Sequence, residues 1–165
     1  AKHDALTGLI NRREFEQRLA ELINQLDGDP ARHLLCYIDL DQFKLVNDIC
    51  GHAAGDALLR QVAGVLKRGL RSADTLARLG GDEFGVILAN CPLRRGLKIA
   101  EAMRERVHAL RFPWEDKVFA VGASIGLVPL TPSLGNLADA YTEVAQRLGV
   151  MPRQAAPVGK PRLIN

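Results

Sequence analysis

The stretch His33-Leu34-Leu35-Cys36-Tyr37-Ile38-Asp39-Leu40-Asp41 decides the fold. It is a nearly continuous apolar run of strand length that ends on two acids separated by one leucine. The pattern predicts a buried central strand, His33 to Leu40, with carboxylates at its C-terminal end. Upstream, Asn11 and Glu14 have the spacing of a capping box, and Phe15, Leu19, Leu22, Ile23 and Leu26 recur at helical intervals. A helix over 11–26 is expected, broken by Gly28-Asp29-Pro30.

Downstream, Gly55-Asp56 precedes Leu58, Leu59, Val62, Val65, Leu66 and Leu70, a second amphipathic pattern that Gly69 helps to end. Two apolar runs, 75–79 and 84–88, flank Gly80-Gly81-Asp82-Glu83 and predict a β-hairpin, because adjacent glycines supply the positive φ that hairpin turns need. Leu93, Leu97, Ala100, Met103, Val107 and Leu110 mark a third helix, and Val118 to Leu130 a last long strand in which Gly122 and Gly126 are candidate bulges. A weaker helix is expected over about 137–148. Pro152, Pro157 and Pro161 then crowd the end. The organisation is thus one domain over 1–150 with an irregular Pro-rich tail over 151–165.

The 165 residues, 47% hydrophobic and 25% charged, fit one globular core and exclude collagenous, disordered and disulfide-scaffold chains. No apolar run approaches membrane-spanning length, so no membrane contact is expected. The 22 basic and 19 acidic residues are interspersed, which argues against a nucleic-acid surface. Cys36, Cys50 and Cys91 form neither a disulfide framework nor a zinc motif, and a reducing, cytoplasmic setting is expected. The first residues hold no signal peptide, and the chain reads as a fragment of something longer.

Chemistry concentrates in two acidic segments. If the strand ending in Asp39 and Asp41 neighbours the hairpin carrying Asp82 and Glu83, their carboxylates converge. Magnesium is held by one or two carboxylates together with substrate phosphates, so such a site suits a nucleoside triphosphate. Taken singly, the same acids could simply cap a strand and a turn in water. Between the segments lies the polar cluster Phe43-Lys44-Leu45-Val46-Asn47-Asp48, then Gly51-His52 and Gly55-Asp56. Asn47 and Asp56 match the donors and acceptors of a guanine edge, or are a turn Asn and a helix N-cap. His52 by itself reads as a structural hydrogen-bonding histidine.

Three stretches then carry a resemblance. Asp4-x-Leu6-Thr7-Gly8-Leu9-x-Asn11-Arg12-Arg13, the run Ile38-Asp39-Leu40-Asp41-x-Phe43-Lys44-x-x-Asn47-Asp48-x-x-Gly51-His52-x-x-Gly55-Asp56, and Arg78-x-Gly80-Gly81-Asp82-Glu83-Phe84 resemble the GGDEF family of diguanylate cyclases in order and spacing. Ser124-Ile125-Gly126 is similar to the family's last core strand. The resemblance implies an α/β fold (an α+β sandwich) related to adenylyl cyclases and polymerase palms, with a mostly antiparallel central sheet surrounded by helices. It implies condensation of two GTP to cyclic di-GMP and two pyrophosphates across a homodimer.

It further implies that Asp39, the Leu40 carbonyl and Asp82 hold two Mg²⁺ (or Mn²⁺) per GTP site, with Glu83 supporting them. Asn47 and Asp56 would read guanine, with His52 and Phe43 nearby, and Lys44 would stabilise phosphate charge. Asp82 would also help to activate the 3′-hydroxyl, and Gly80 and Gly81 would let backbone approach the triphosphate. Arg71 and Asp74, an Arg-x-x-Asp ending shortly before Gly80, resemble the family's inhibitory site for cyclic di-GMP. An upstream sensory domain is implied as partner. The chain departs from the family pattern where Glu143 and Gln146 stand in place of Tyr and Lys in its final helix. Two functional classes are therefore kept: an active cyclase, and a catalytically silent module that binds GTP or cyclic di-GMP.

Overall fold

A computed structural model describes residues 1–26, 33–130 and the backbone of 162–164. The expected helix over 137–148, and with it Glu143 and Gln146, lies outside the described residues, as does the Gly28-Asp29-Pro30 break.

Helix α1 (Arg12–Asn24) starts where the Asn11 side chain accepts from the Glu14 amide at 3.0 Å, satisfying one free N–H of the first turn. Strand β1 (Leu34–Asp41) follows. Then come α2 (Phe43–Cys50) and α3 (His52–Arg68), the hairpin strands β2 (Thr75–Gly80) and β3 (Glu83–Leu88), and α4 (Leu93–Ala109). The chain continues through β4 (Phe112–Trp114), β5 (Lys117–Phe119) and β6 (Gly122–Pro129) to β7 (Arg162–Ile164).

Five strands form one antiparallel sheet in the order β2-β3-β1-β6-β7, with β1 at its centre. Even-numbered β1 residues such as Cys36 and Ile38 pack with α3 and α4, while Leu35 and Tyr37 pack with α1 on the opposite face. Burial on both faces is why β1 shows no polar alternation until its end. Phe15 and Leu19 of α1 are completely buried, and each such side chain contributes about 1.5 to 3 kcal/mol.

The structure corrects several expectations. The segment between β1 and α3 is itself a helix, α2, which buries only Phe43 and Val46 and so shows too short a stripe to announce itself. Gly51, at φ 92°, separates α2 from α3. The long strand over 118–130 is divided: β5 pairs with β4 in a separate hairpin whose tip carries Glu115 at φ 55°. The ladder between β1 and β6 runs from Leu34 opposite Pro129 to Asp41 opposite Gly122 without a shift, so neither Gly122 nor Gly126 makes a bulge in it. The register shift falls instead in β2, between Arg78 and Gly80. Arg162–Ile164, expected to be irregular, form β7 against β6; past Pro161 these residues have their N–H groups available for a ladder.

Candidate active site

The C-terminal end of β1 brings the acidic segments together. Asp39 lies directly opposite Glu83 of β3, and the Leu40 amide donates to the Asp82 carbonyl at 3.2 Å. The turn between β2 and β3 needs its glycines: Gly80 and Gly81 have φ of 138° and 49°, and both face open space. The Tyr37 hydroxyl donates to Glu83, and the Ser124 hydroxyl to Asp41 at 2.9 Å. Asp39, Asp82 and Glu83 are half-buried, whereas Asp41 is exposed. Two like charges directly opposite in a ladder are unfavourable unless something compensates them.

Asp39 and Asp82 both respond to these surroundings. Burial first, then the charges of Asp82, Glu83 and Asp41, push the Asp39 carboxyl from its ordinary 3.8 up to about 7. Burial, with Glu83 adding to it, also raises Asp82 against the pull of a backbone N–H and Arg78. Among the described residues no three acidic, His or Cys side chains gather tightly enough to hold a metal ion alone. Mutually repelling carboxylates beside a backbone carbonyl nevertheless fit Mg²⁺ or Mn²⁺, which take one or two carboxylates and draw further oxygens from substrate phosphate and water.

One consequence is measurable without substrate. With divalent ions removed, the folded domain holds the Asp39 proton up to about pH 7, whereas the unfolded chain releases it near 3.8. The stability this provides is complete below the unfolded value and lost as pH rises through the folded one. Asp39→Asn is expected to remove this loss, so its thermal midpoint between pH 5 and 8 should fall less steeply than that of the wild type. Thermal unfolding in chelator across that range checks it, and parallel profiles would contradict it.

Asn47 lies in the second half of α2 and Asp56 one turn into α3, so neither the turn nor the N-cap reading holds; Gly51 occupies the N-cap of α3. The Asn47 Oδ1 is buried with no hydrogen-bond partner among the described residues. It lies over Gly55, where an added Cβ would stand 1.8 Å away. Gly55 is thus a site residue to which sequence reasoning assigned no role; its signal was a glycine inside a helical turn, immediately before Asp56. Lys44 on α2 and His52 and Asp56 on α3 are exposed. Phe43, grouped with the ligand-facing residues from the sequence, is only 7% exposed and lies in the core, its ring beneath Gly55.

Arg78 and Asp4 also received no individual role. Arg78 donates to the Gly81 carbonyl at 3.0 Å and to Asp4 at 3.1 Å, tying the N-terminal segment to the glycine turn. Burial alone would raise the Asp4 carboxyl, but Thr7 and Arg78 bring it below its ordinary value. Gln42 is held at φ 66°, a left-handed conformation that turns the chain from Asp41 into α2.

Arg71 and Asp74 are already partners. The guanidinium contacts both Asp74 oxygens, at 2.7 and 3.1 Å, and donates to the Ala89 carbonyl at 2.8 Å. The Asp74 side chain is fully buried and also accepts from the Arg71 amide at 2.9 Å. Beside the pair opens a cleft of about 360 Å³ with His3, Arg18 and Lys67 in its lining. Arg71→Ala would leave that carboxylate without its cation, so it is expected to destabilise the domain by about 1 to 3 kcal/mol. Urea unfolding measures this; an unchanged midpoint would show the pair to be energetically idle.

The family described as diguanylate cyclase, GGDEF domain, matches residues 1–152. The chain is 50% identical over 127 residues to the probable diguanylate cyclase DgcE of Escherichia coli K12, covering 77% of this chain and 12% of that protein. It is 41% identical over 131 residues to the cyclic di-GMP phosphodiesterase PdeB of Shewanella oneidensis, covering 77% and 14%. The chain thus spans 12 to 14% of the length of these two relatives. The GGDEF domain of DgcB from Caulobacter crescentus, solved in complex with c-di-GMP, superposes with a TM-score of 0.78 at 29% identity, covering 90% of this chain and 92% of that one. With its motif residues gathered at one sheet end and the family match spanning nearly its whole length, the chain belongs to the GGDEF diguanylate cyclase domain family.

Proposed function

We propose that this domain is an active diguanylate cyclase, joining two GTP into cyclic di-GMP with release of two pyrophosphates. The observation that carries this reading is the intact acid row, Asp39 opposite Glu83 with Asp82 in the adjoining turn, lying at the same sheet end as the helix pair that carries the orphaned Asn47 acceptor. Each 3′-oxygen forms a bond to the α-phosphorus of the other GTP, and the bond from that phosphorus to pyrophosphate breaks.

Asp39, the Leu40 carbonyl and Asp82 would hold Mg²⁺ or Mn²⁺, with Glu83 supporting them; when bound, the ions neutralise charge on the attacking and departing oxygens. The Asp82 carboxylate, raised toward neutrality by burial, is suited to take the hydroxyl proton. Asn47 Oδ1 would accept from the guanine N1–H and N2–H₂ donors, with Asp56 and His52 exposed alongside. Lys44, exposed on α2, would draw the phosphates toward the acid row. Gly80 and Gly81 leave open space over the turn, so backbone can approach phosphate without a side chain intervening.

One bound GTP per domain requires a second copy facing the first, because each nucleotide supplies the nucleophile for the other. The basic cleft beside Arg71 suits a phosphate-bearing product, and the preformed Arg71–Asp74 pair would present a fixed guanidinium to it. In the whole protein, an upstream sensory domain would set how often two such domains meet.

Incubating the protein with GTP and Mg²⁺ and resolving the nucleotides by chromatography tests the reading. Cyclic di-GMP with two pyrophosphates per product is expected. Saturable GTP binding with no product over hours would replace the cyclase with a nucleotide-binding regulatory module.

A further inference from the structure

We propose that Tyr37 is a positioning residue of the metal site, holding the Glu83 carboxylate turned toward the ion shared with Asp39. The inference rests on the cyclase reading and deepens it. Tyr37 belongs to β1 and stands two residues before Asp39 on the same face. Its cross-strand neighbours on the two sides are Gly85 and Gly126, and the Phe15 ring fills the space over Gly85. Its hydroxyl reaches Glu83, 46 residues away in sequence, while the residue is 4% exposed and packed in the apolar cluster under α1.

The chemistry of a phenol suits this place. Glu83 faces Asp39 directly, and two carboxylates so paired repel each other. A hydroxyl donor to Glu83 fixes its rotamer. A Lys or Arg at this position would also donate, but its charge would neutralise the site and weaken its hold on a cation. A phenol donates without charge, so the site keeps its attraction for a divalent ion while one of its acids is pinned. Tyr37 thereby extends the rigid apolar layer into the acid row.

The test uses Mn²⁺ binding, followed by the paramagnetic resonance of the free ion, with and without GTP. Hydrogen-bond partners of metal ligands commonly change metal affinity by about ten- to a hundredfold, so Tyr37→Phe is expected to raise the half-saturating Mn²⁺ concentration by at least about tenfold while leaving the KM for GTP at saturating Mn²⁺ within about twofold. Glu83→Gln should produce a similar shift by itself. Adding Tyr37→Phe to it should then change the Mn²⁺ midpoint by less than about twofold, because Tyr37 acts through that carboxylate. Equal midpoints in wild type and Tyr37→Phe, or an undiminished shift in the Glu83→Gln background, would overturn the role. Should Tyr37→Phe fail to fold, an unshifted midpoint in Glu83→Gln overturns it equally. A wild type that binds Mn²⁺ and shows these shifts without making cyclic di-GMP would keep Tyr37 as a positioning residue and remove the cyclase reading. Absence of saturable Mn²⁺ binding in the wild type would remove both.

Discussion

Asp82→Ala is expected to abolish cyclic di-GMP synthesis while the domain keeps its fold. The structural contribution of residue 82 comes from its backbone: its carbonyl accepts from the Leu40 amide, and an alanine preserves that bond. Its carboxyl is raised by burial and by Glu83, so removing it relieves repulsion instead of breaking a stabilising pair. In the proposed reaction, by contrast, the rate would lose both a metal ligand and a proton acceptor. Several kcal/mol of transition-state stabilisation correspond to about a thousandfold or more in rate. Circular dichroism should match the wild type and turnover should fall to background. Activity within tenfold of wild type would exclude Asp82 from the reaction.

The second large effect concerns the base. Asn47 presents a buried acceptor with no partner among the described residues, and an unpaired buried polar atom is costly until a ligand satisfies it. Guanine offers the donors that adenine lacks at the same edge. Replacing Asn47 and Asp56 together with Ala should remove two hydrogen bonds to the base, about 1.5 kcal/mol each, and so reduce the preference for GTP over ATP by about a hundredfold. Calorimetric titration with both nucleotides gives the ratio. An unchanged ratio would mean that the base lies elsewhere, and that the space kept over Gly55 serves packing alone.

The parts of this site that were legible in the sequence are those where one residue type answers one demand. The apolar run ending in Asp39 could be read as a central strand because helices cover both faces of β1. Gly80-Gly81 could be read as a turn because two successive positive φ values suit few other residues. The α2 helix was hidden because it turns only Phe43 and Val46 inward over eight residues, too few to show a helical period. The break between β5 and β6 was hidden because Val118 to Leu130 stays apolar through a change of pairing partner, and hydropathy does not record partners.

Side-chain partnerships were the least legible. Arg71-x-x-Asp74 resembled a ligand site, and its residues do line a cleft, yet much of what they contact is each other and the end of β3. Nothing in the spacing separates a guanidinium awaiting a ligand from one already compensating a buried carboxylate. Gly55 illustrates the converse. Its importance comes from the side chain of Asn47 on a neighbouring helix, which linear sequence does not bring beside it.

The most direct test is to crystallise the domain with Mn²⁺ and a GTP analogue whose α–β bridge resists cleavage, and to map the metal by anomalous scattering. The expected result is manganese density between the Asp39 and Asp82 carboxylates, with the guanine edge against Asn47. Nucleotide bound only in the cleft beside Arg71, with no metal at the end of β1, would contradict it.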